Sequence, residues 1–325
     1  MATLDPAAIE RGLSVLVGDP VTIAGAASLG AQRHTLFVDI DRPQGRSAAV
    51  AQISTSVVAA SPVSREADVI RLAAAHGLPV PTVIAWTDEL DGIGAPAMVT
   101  SVVDGLTIPR QVLRSLDQSA GEALAAECGA VLARLHQAPV EGLTSPLDRF
   151  EASTYCDSLE RLMHELDQPR PAVQLALNWL RRHAPDRART ALIHGDFRNG
   201  NLVVDTNGLA GVLDWELCQL SDPMADPAWL CLRTWRFGND DRLVGGFGSL
   251  EALRDGYETA GGKWDETAFL WWSIARSAMW ALGLASQSAA FERGHSDSIV
   301  LAASGRRVPE LEYDTLMLIK AATSR

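Results

Sequence analysis

The stretch 202–213, Leu-Val-Val-Asp-Thr-Asn-Gly-Leu-Ala-Gly-Val-Leu, is two short apolar runs around Asn207-Gly208. That dipeptide is the strongest short-range signal for a two-residue type I′ hairpin turn, in which both central residues need positive φ. With Asn207 and Gly208 as the turn pair, Thr206 faces Leu209, Leu202 faces Leu213 and Asn201 faces Asp214. The pairing predicts an amide oxygen and a carboxylate about 5 Å apart at Cβ, at the open end of the ribbon. Asp196 lies five residues before Asn201, in the loop that feeds the ribbon. Mg2+ takes one or two protein oxygens and completes its shell with water and phosphates, so Asn201 and Asp214 suit it and leave Asp196 to orient a nucleophile. For an isolated hairpin, Asn and Asp as turn or cap residues would be the simpler account; the residues that flank this one overturn it.

Before the ribbon, Leu36 to Ile40 and Ala48 to Ile53 read as short strands, and a helix follows with Ser64 as N-cap and Glu66 in its first turn. Gly77 ends that helix ahead of Pro79 and Pro81, and Val83 to Trp86 and Ala97 to Val103 complete a small sheet. After Gly105 the pattern turns helical, with Leu124, Cys128, Val131, Leu132 and Leu135 at helical spacing and another helix entering at Pro171. Eight of the nine tryptophans lie beyond residue 178, and such a cluster is more often core than pocket wall.

Composition removes several function classes. Lys+Arg 28 against Asp+Glu 40 gives a net charge of −12 with no basic run beyond an arginine pair, so nucleic acid is not an expected partner. Only Lys263 and Lys320 are lysines, and neither sits in a Gly-Lys-Ser/Thr loop. No apolar run reaches the roughly 18–20 residues of a membrane span, and Met1-Ala-Thr-Leu-Asp-Pro lacks the features of a secretory signal. Four scattered cysteines without a CxxC point to free thiols and a cytoplasmic protein.

The order His194-x-Asp196-x4-Asn201, a hairpin, then Asp214 matches the catalytic and metal loops of protein kinases. The spelling His-Gly-Asp-Phe-Arg-x-Gly-Asn, then Leu-Asp-Trp-Glu and Ser221-Asp-Pro-Met-Ala-Asp226, resembles the aminoglycoside phosphotransferase-like family. The run from Asp222 to Gly238 resembles the branch related to kinase-like domains fused to acyl-CoA dehydrogenases. The resemblance implies an α+β, two-lobed protein-kinase-like fold. Residues 1–103 would form a nucleotide-binding lobe, a small β-sheet with one helix. Residues 104–325 would form a larger, mainly helical lobe for catalysis and substrate. It implies an ATP- and Mg2+-dependent phosphotransferase acting on a hydroxyl of a small molecule, either aminoglycoside-like or a hydroxyacyl-CoA or hydroxy acid.

Carried onto this chain, the family pattern makes Asp196 the catalytic carboxylate, and Asn201 and Asp214 the metal ligands. His194 would buttress the loop and Asp226 would accept hydrogen bonds from its backbone. Arg198 would touch a phosphate or the acceptor, or close a salt bridge within the loop. Thr100 to Val103, with Ser101 and Val103, matches the linker whose backbone meets adenine, and Gly25 to Gly30 sits where a phosphate-covering loop belongs. Glu66 matches the helix glutamate that holds a third-strand lysine or arginine, but the strand Ser47 to Ser54 has Gln52 or Ile53 in that place. Arg33, Arg46 and Arg65 are the cations that could substitute. The missing lysine supports an alternative: a catalytically impaired pseudokinase that binds a nucleotide or small ligand.

Overall fold

A computed structural model describes residues 5–29, 33–54, 62–166, 168–185 and 189–324. The start of the chain through residue 4, and Gly30 of the expected phosphate-covering loop, lie outside the described residues. In order the elements are α1 (Pro6–Val17), β1 (Val21–Leu29), β2 (Arg33–Arg42), β3 (Gly45–Ser54), α2 (Val63–Ala75), β4 (Val83–Thr87) and β5 (Ala97–Ser101). Then come α3 (Pro109–Ser115), α4 (Gln118–His136), β6 (Arg149–Phe150), α5 (Ala152–Leu166), α6 (Pro171–Arg182) and β7 (Ala191–Ile193). The rest is β8 (Leu202–Asp205), β9 (Gly208–Val212), β10 (Gln219–Ser221), α7 (Ala225–Leu230), α8 (Leu250–Thr259), α9 (Glu266–Glu292), α10 (Ile299–Ser304) and α11 (Val308–Thr323). They form two compact units: Met1–Thr107 with Ala138–Leu147 and Asn201–Cys218, and Ile108–Gln137 with Asp148–Gly200 and Gln219–Arg325.

The first unit is built on an antiparallel sheet in the order β1-β2-β3-β5-β4. Alternation along its strands decides which side is which. Leu36, Val38 and Ile40 of β2 and Ala49, Ala51 and Ile53 of β3 pack into a core with Ile9 and Leu13 of α1. The intervening Thr35, Phe37, Val50 and Gln52 line a cavity with Glu66 and Ile70 of α2. The sequence reading expects one helix here, and there are two. Asp5 caps α1 by accepting from the N–H of Ala7 at 3.1 Å, Pro6 opens it and Gly18 ends it. The segment Gly25 to Leu29 belongs to β1, with bulges on either side of Gly25 and Ala26. Helix α2 starts one residue before the expected cap. Pro62 takes the cap position without a side-chain bond, and Asp88 accepts the N–H of Ser64 at 3.3 Å instead.

The β8–β9 hairpin forms, in a different register from the expected one. Asp205 pairs with Gly208 and Val204 with Leu209, so Thr206 and Asn207 are the turn. A shift between Val203 and Val204 then brings Leu202 opposite Val212 rather than Leu213. The cause is local. Oδ1 of Asp205 accepts the N–H of Asn207 at 2.6 Å, an Asx turn that fixes the reversal one residue early. Gly208, at φ 122°, then restores the strand twist, which Asn207 was expected to share at positive φ and does not. Leu106 and Val204 exchange hydrogen bonds at 2.7 and 3.0 Å, and the N–H of Val212 donates to Pro79 at 2.8 Å. These bonds tie the ribbon to the sheet unit, which therefore takes in residues through Thr107.

The second unit is helical around α9, with a three-stranded patch in the order β6-β10-β7. Trp271 and Trp272 are buried; the Trp271 indole donates to the carbonyl of Leu180 at 3.0 Å, and Tyr155 packs edge-on to Trp272. All four cysteines are buried thiols outside any disulfide. Among the described residues no helix is long and apolar enough to cross a membrane. Helices α4 and α8 approach closely through glycines. A Cβ on Gly129 would strike the carbonyl of Leu253, and one on Gly256 the carbonyl of Ala126.

That contact yields a prediction. Gly129→Ala and Gly256→Ala each overpack backbone against backbone, at about 1–3 kcal/mol or more, outweighing the ~1 kcal/mol that alanine gains in helix propensity. Thermal denaturation should show each melting several degrees lower. Gly142→Ala, with nothing within 4 Å of the added methyl, should melt as the parent does.

Candidate active site

The cavity of the sheet unit, about 210 Å3, is lined by Gln52, Glu66, Ser101, Val103 and Asp214 together with Thr35, Phe37, Met98 and Leu213. All four residues assigned by resemblance to the nucleotide, and one of the two assigned to the metal, thus face one space. A cation does stand beside Glu66, one strand away from the place on β3 where Gln52 or Ile53 sits. Arg33 of β2 donates to both carboxylate oxygens of Glu66, at 2.8 and 3.2 Å, and its Nε lies 3.2 Å from Glu216. Register explains the placement. Thr35 pairs with Gln52 and Arg33 with Ser54, and Arg33 shares the face of Thr35 and Phe37, which line the cavity. Arg46 instead pairs with Asp41 and Asp39 at the exposed end of the β2–β3 ribbon.

Glu66 is 2% exposed. Burial raises its pKa against the pull of Arg33; the nearby charge of Asp214 adds to the rise, and a hydrogen bond from the backbone of Trp215 opposes it. For Arg33 burial works against the charge, but the hydrogen bond and charge of Glu66, with Glu216 and Asp214, outweigh it and its pKa is raised. The bidentate geometry is that of a charge-assisted pair. Ser101 is partly committed. Its N–H donates to the carbonyl of Thr82 and its hydroxyl accepts the N–H of Thr82, both at 2.9 Å.

Asp214 follows β9 at φ 66°, and among the described residues only Phe237 shares a positive φ without being glycine. Aspartate tolerates that region better than most side chains, at a cost of order 1 kcal/mol. Two bonds hold the conformation: the N–H of Leu213 donates to the carbonyl of Asn201 at 2.8 Å, and the Trp215 indole donates to the carbonyl of Val212 at 3.0 Å. Asn201, 5% exposed, thus meets Leu213 where it was expected to face Asp214, the consequence of the register shift.

Asp196 belongs to the helical unit, and the segment Phe197 to Gly200 carries the chain from it to Asn201. The loop around Asp196 is fixed from below by Asp226, which is fully buried. Asp226 accepts the N–H of His194 at 2.8 Å and of Gly195 at 2.9 Å, as the resemblance implies, and lies 3.3 Å from Nε2 of His136. Burial pushes the Asp226 carboxyl up, but hydrogen bonds and charge from His136 and His194 outweigh it and hold it below the ordinary range. His194 accepts the N–H of Asp196 at Nδ1, 3.2 Å away.

The carboxylate of Asp196 accepts the Trp229 indole N–H at 2.7 Å and the Nε of Arg198 at 3.0 Å to each oxygen. The Arg198 guanidinium lies 4.6 Å over the ring of Trp235, which packs on Trp229 and Trp280. Arg198 forms the loop salt bridge, one of the roles open to it in the sequence. Sequence reasoning missed Trp229, Trp235, His136 and Glu216. Trp229 and Trp235 stand within the run that carried the family resemblance, and Glu216 ends the Leu-Asp-Trp-Glu motif. Nothing local marks His136, which comes from α4.

Residues 26–270 match the model of the phosphotransferase enzyme family. Mouse acyl-CoA dehydrogenase family member 10 is 31% identical over 211 residues, 62% of this chain and 19% of that protein. Human acyl-CoA dehydrogenase family member 11 is 28% identical over 180 residues, 52% of this chain and 23% of that protein. The chain thus spans about a fifth of the length of the curated relatives it matches. Among solved structures, a candidate aminoglycoside phosphotransferase from Ralstonia eutropha JMP134 aligns over 98% of both chains with TM-score 0.78 and 20% identity. The amicoumacin kinase hAmiN, solved in complex with AMP-PNP, Ca2+ and Ami, aligns over 96% of this chain and 94% of its own with TM-score 0.64 and 16% identity. At these identities the solved structures show the fold: the aminoglycoside phosphotransferase form of the protein-kinase-like fold, with an N-terminal antiparallel sheet and a mainly helical C-terminal part. The family match covers well over half of the residues, and the chain belongs to the phosphotransferase enzyme family.

Proposed function

We propose that this protein transfers the γ-phosphoryl group of ATP to a hydroxyl of a small molecule, with Mg2+. The observation that carries the reading is the Arg33–Glu66 ion pair at the cavity that Gln52, Ser101, Val103 and Asp214 line. Arg33 supplies the positive charge that the pseudokinase alternative takes to be missing. In this reading Arg33, held by Glu66, meets the nucleotide phosphates, Gln52 adds a neutral donor, and the linker through Ser101 and Val103 meets the base. With the N–H of Ser101 spent on Thr82, the main chain of Val103 is the better donor to it.

The donor set suits the metal. Asn201 and Asp214 offer an amide oxygen and a carboxylate, hard oxygen ligands without thiolate or imidazole, which is what Mg2+ takes. Held by Asn201 and Asp214, Mg2+ would offset the negative charge of the nucleotide phosphates. Asp196 would accept or mainly orient the acceptor hydroxyl. Its indole partner Trp229 and the Asp226-anchored loop hold the carboxylate in one place, which is where positioning contributes to rate. Arg198 would move from Asp196 to the acceptor or to a phosphate as the hydroxyl arrives. That exchange favours an anionic acceptor, a hydroxy acid or hydroxyacyl-CoA, over a polycationic aminoglycoside that would face the guanidinium. The relatedness to segments of acyl-CoA dehydrogenase family members points the same way. Four buried thiols outside any disulfide fit a reducing, cytoplasmic setting.

Four measurements test the reading. ATP with Mg2+ at 100 times Kd should add about 2.7 kcal/mol, raising the melting midpoint by several degrees; no shift would overturn it. Asp196→Ala should lose on the order of 10²-fold or more in turnover against hydroxylated acceptors while keeping that nucleotide shift. Asp214→Asn keeps a side chain that tolerates positive φ, so it should melt close to the parent and lose the Mg2+-dependent part of the shift. Arg33→Met should destabilise by about 3–5 kcal/mol, because it strands a buried carboxylate. Adding Glu66→Met should recover most of the stability without restoring the nucleotide shift.

A further inference from the structure

We infer that the helical unit carries a second small-molecule site, a cavity for an aliphatic carboxylate, separate from the residues assigned above to nucleotide, metal and phosphoryl transfer. The cavity measures about 310 Å3, within the range of roughly 300–1,000 Å3 typical of small-molecule sites. Its walls are Leu232, Leu250, Phe269 and Leu311, with Leu243 and Met317 at 39% and 41% exposure, where it opens to solvent. Ser273 and Ser277 also line it, but their hydroxyls donate to the carbonyls of Phe269 (2.7 Å) and Leu311 (3.3 Å), so they add no free donor to the wall. The interior is therefore apolar, and what it rewards is a chain of methylenes.

Charge at the cavity decides the head group. Three charged residues line it: Arg233, Arg236 and Asp314. Arg233 is matched already, by Asp240 at 2.8 Å and Asp314 at 3.4 Å. Arg236 is not matched in the same way. Its Nη1 and Nη2 donate to the main-chain carbonyls of Asp240 (3.3 Å) and Cys231 (2.7 Å), and its Nε is buried without a partner among the described residues. A guanidinium that lines an apolar hollow and bonds only to neutral carbonyls, with two of its five N–H groups used, lacks the anion that would complete it. Burial lowers its pKa, and the more distant charges of Asp240 and Asp314 only partly oppose this. A carboxylate at the end of an aliphatic chain would satisfy Arg236 while its tail fills the hollow.

Isothermal titration of the full chain with octanoate, octanol and octylammonium, below their aggregation limits, tests this directly. Octanoate should bind at least tenfold more tightly than octanol, the usual worth of a hydrogen bond to a charged group, and octylammonium more weakly still. Arg236→Met should bring octanoate to the level of octanol. Ser273→Leu, which fills the hollow from α9, should weaken octanoate at least tenfold. Both variants should keep the parent's response to ATP and Mg2+, so this result stands or falls apart from the phosphotransferase reading. Octylammonium binding as well as octanoate, or octanoate binding untouched by either folded variant, would overturn the proposal. Should both variants fail to fold, the order of the three ligands on the unmodified chain still decides it.

Discussion

The Arg33–Glu66 pair is the interaction on which the sheet unit's cavity depends. It ties α2 to β2, and through Glu216 and the backbone of Trp215 it reaches the segment that follows β9. Removing two charges from water is costly, and a buried pair repays this only when the remaining hydrogen-bonding positions are filled. Here Glu66 receives two N–H bonds from one guanidinium and a third from the main chain, while Arg33 also lies against a second carboxylate. The pair is thus a crosslink between three elements as well as a source of positive charge. Its net worth lies less in stability than in holding that charge at one point, since an unbraced arginine has several rotatable bonds.

The helical unit uses the opposite sign in the same way. Asp226, without solvent contact, gathers the backbone of His194 and Gly195 and the ring of His136. A carboxylate so placed keeps its charge because donors surround it, and it turns a glycine-containing loop into a rigid support for Asp196. Trp229, a few residues further along the chain, then fixes the Asp196 carboxylate itself. The motif Ser221-Asp-Pro-Met-Ala-Asp226 with the tryptophans after it is therefore one supporting piece: an anchor below the loop and a donor above it.

Much of this was legible in the sequence, and the exceptions have physical reasons. The strands around residues 36–53, helix α2, the long α4 and the existence of the hairpin follow from periodicity and turn residues, which are local signals. Asp196, Asn201, Asp214, Glu66 and Asp226 could be named because their motifs are contiguous. The hairpin register could not, because two turn chemistries competed within three residues and the Asx turn at Asp205 prevailed over Asn-Gly. Arg33 could be named only as one of three candidates, since pairing between neighbouring strands, and not spacing along the chain, puts it opposite Glu66. Helix α1 has its local signals in an Asp-Pro start and the Gly18 end, but its apolar residues face a sheet formed later in the chain, beyond the reach of any local pattern. His136 arrives from a distant helix, which no local pattern announces.

The left-handed backbone at Asp214 has a consequence for anyone altering this chain. Stability alone would reward glycine or asparagine there, residues that occupy positive φ with less strain, and an automated thermostabilisation would select one of them. Either choice deletes a carboxylate while leaving expression, solubility and melting behaviour unharmed or improved. A variant without the proposed metal ligand would pass checks of expression, solubility and ligand-free melting, so this position should be frozen before any such redesign begins.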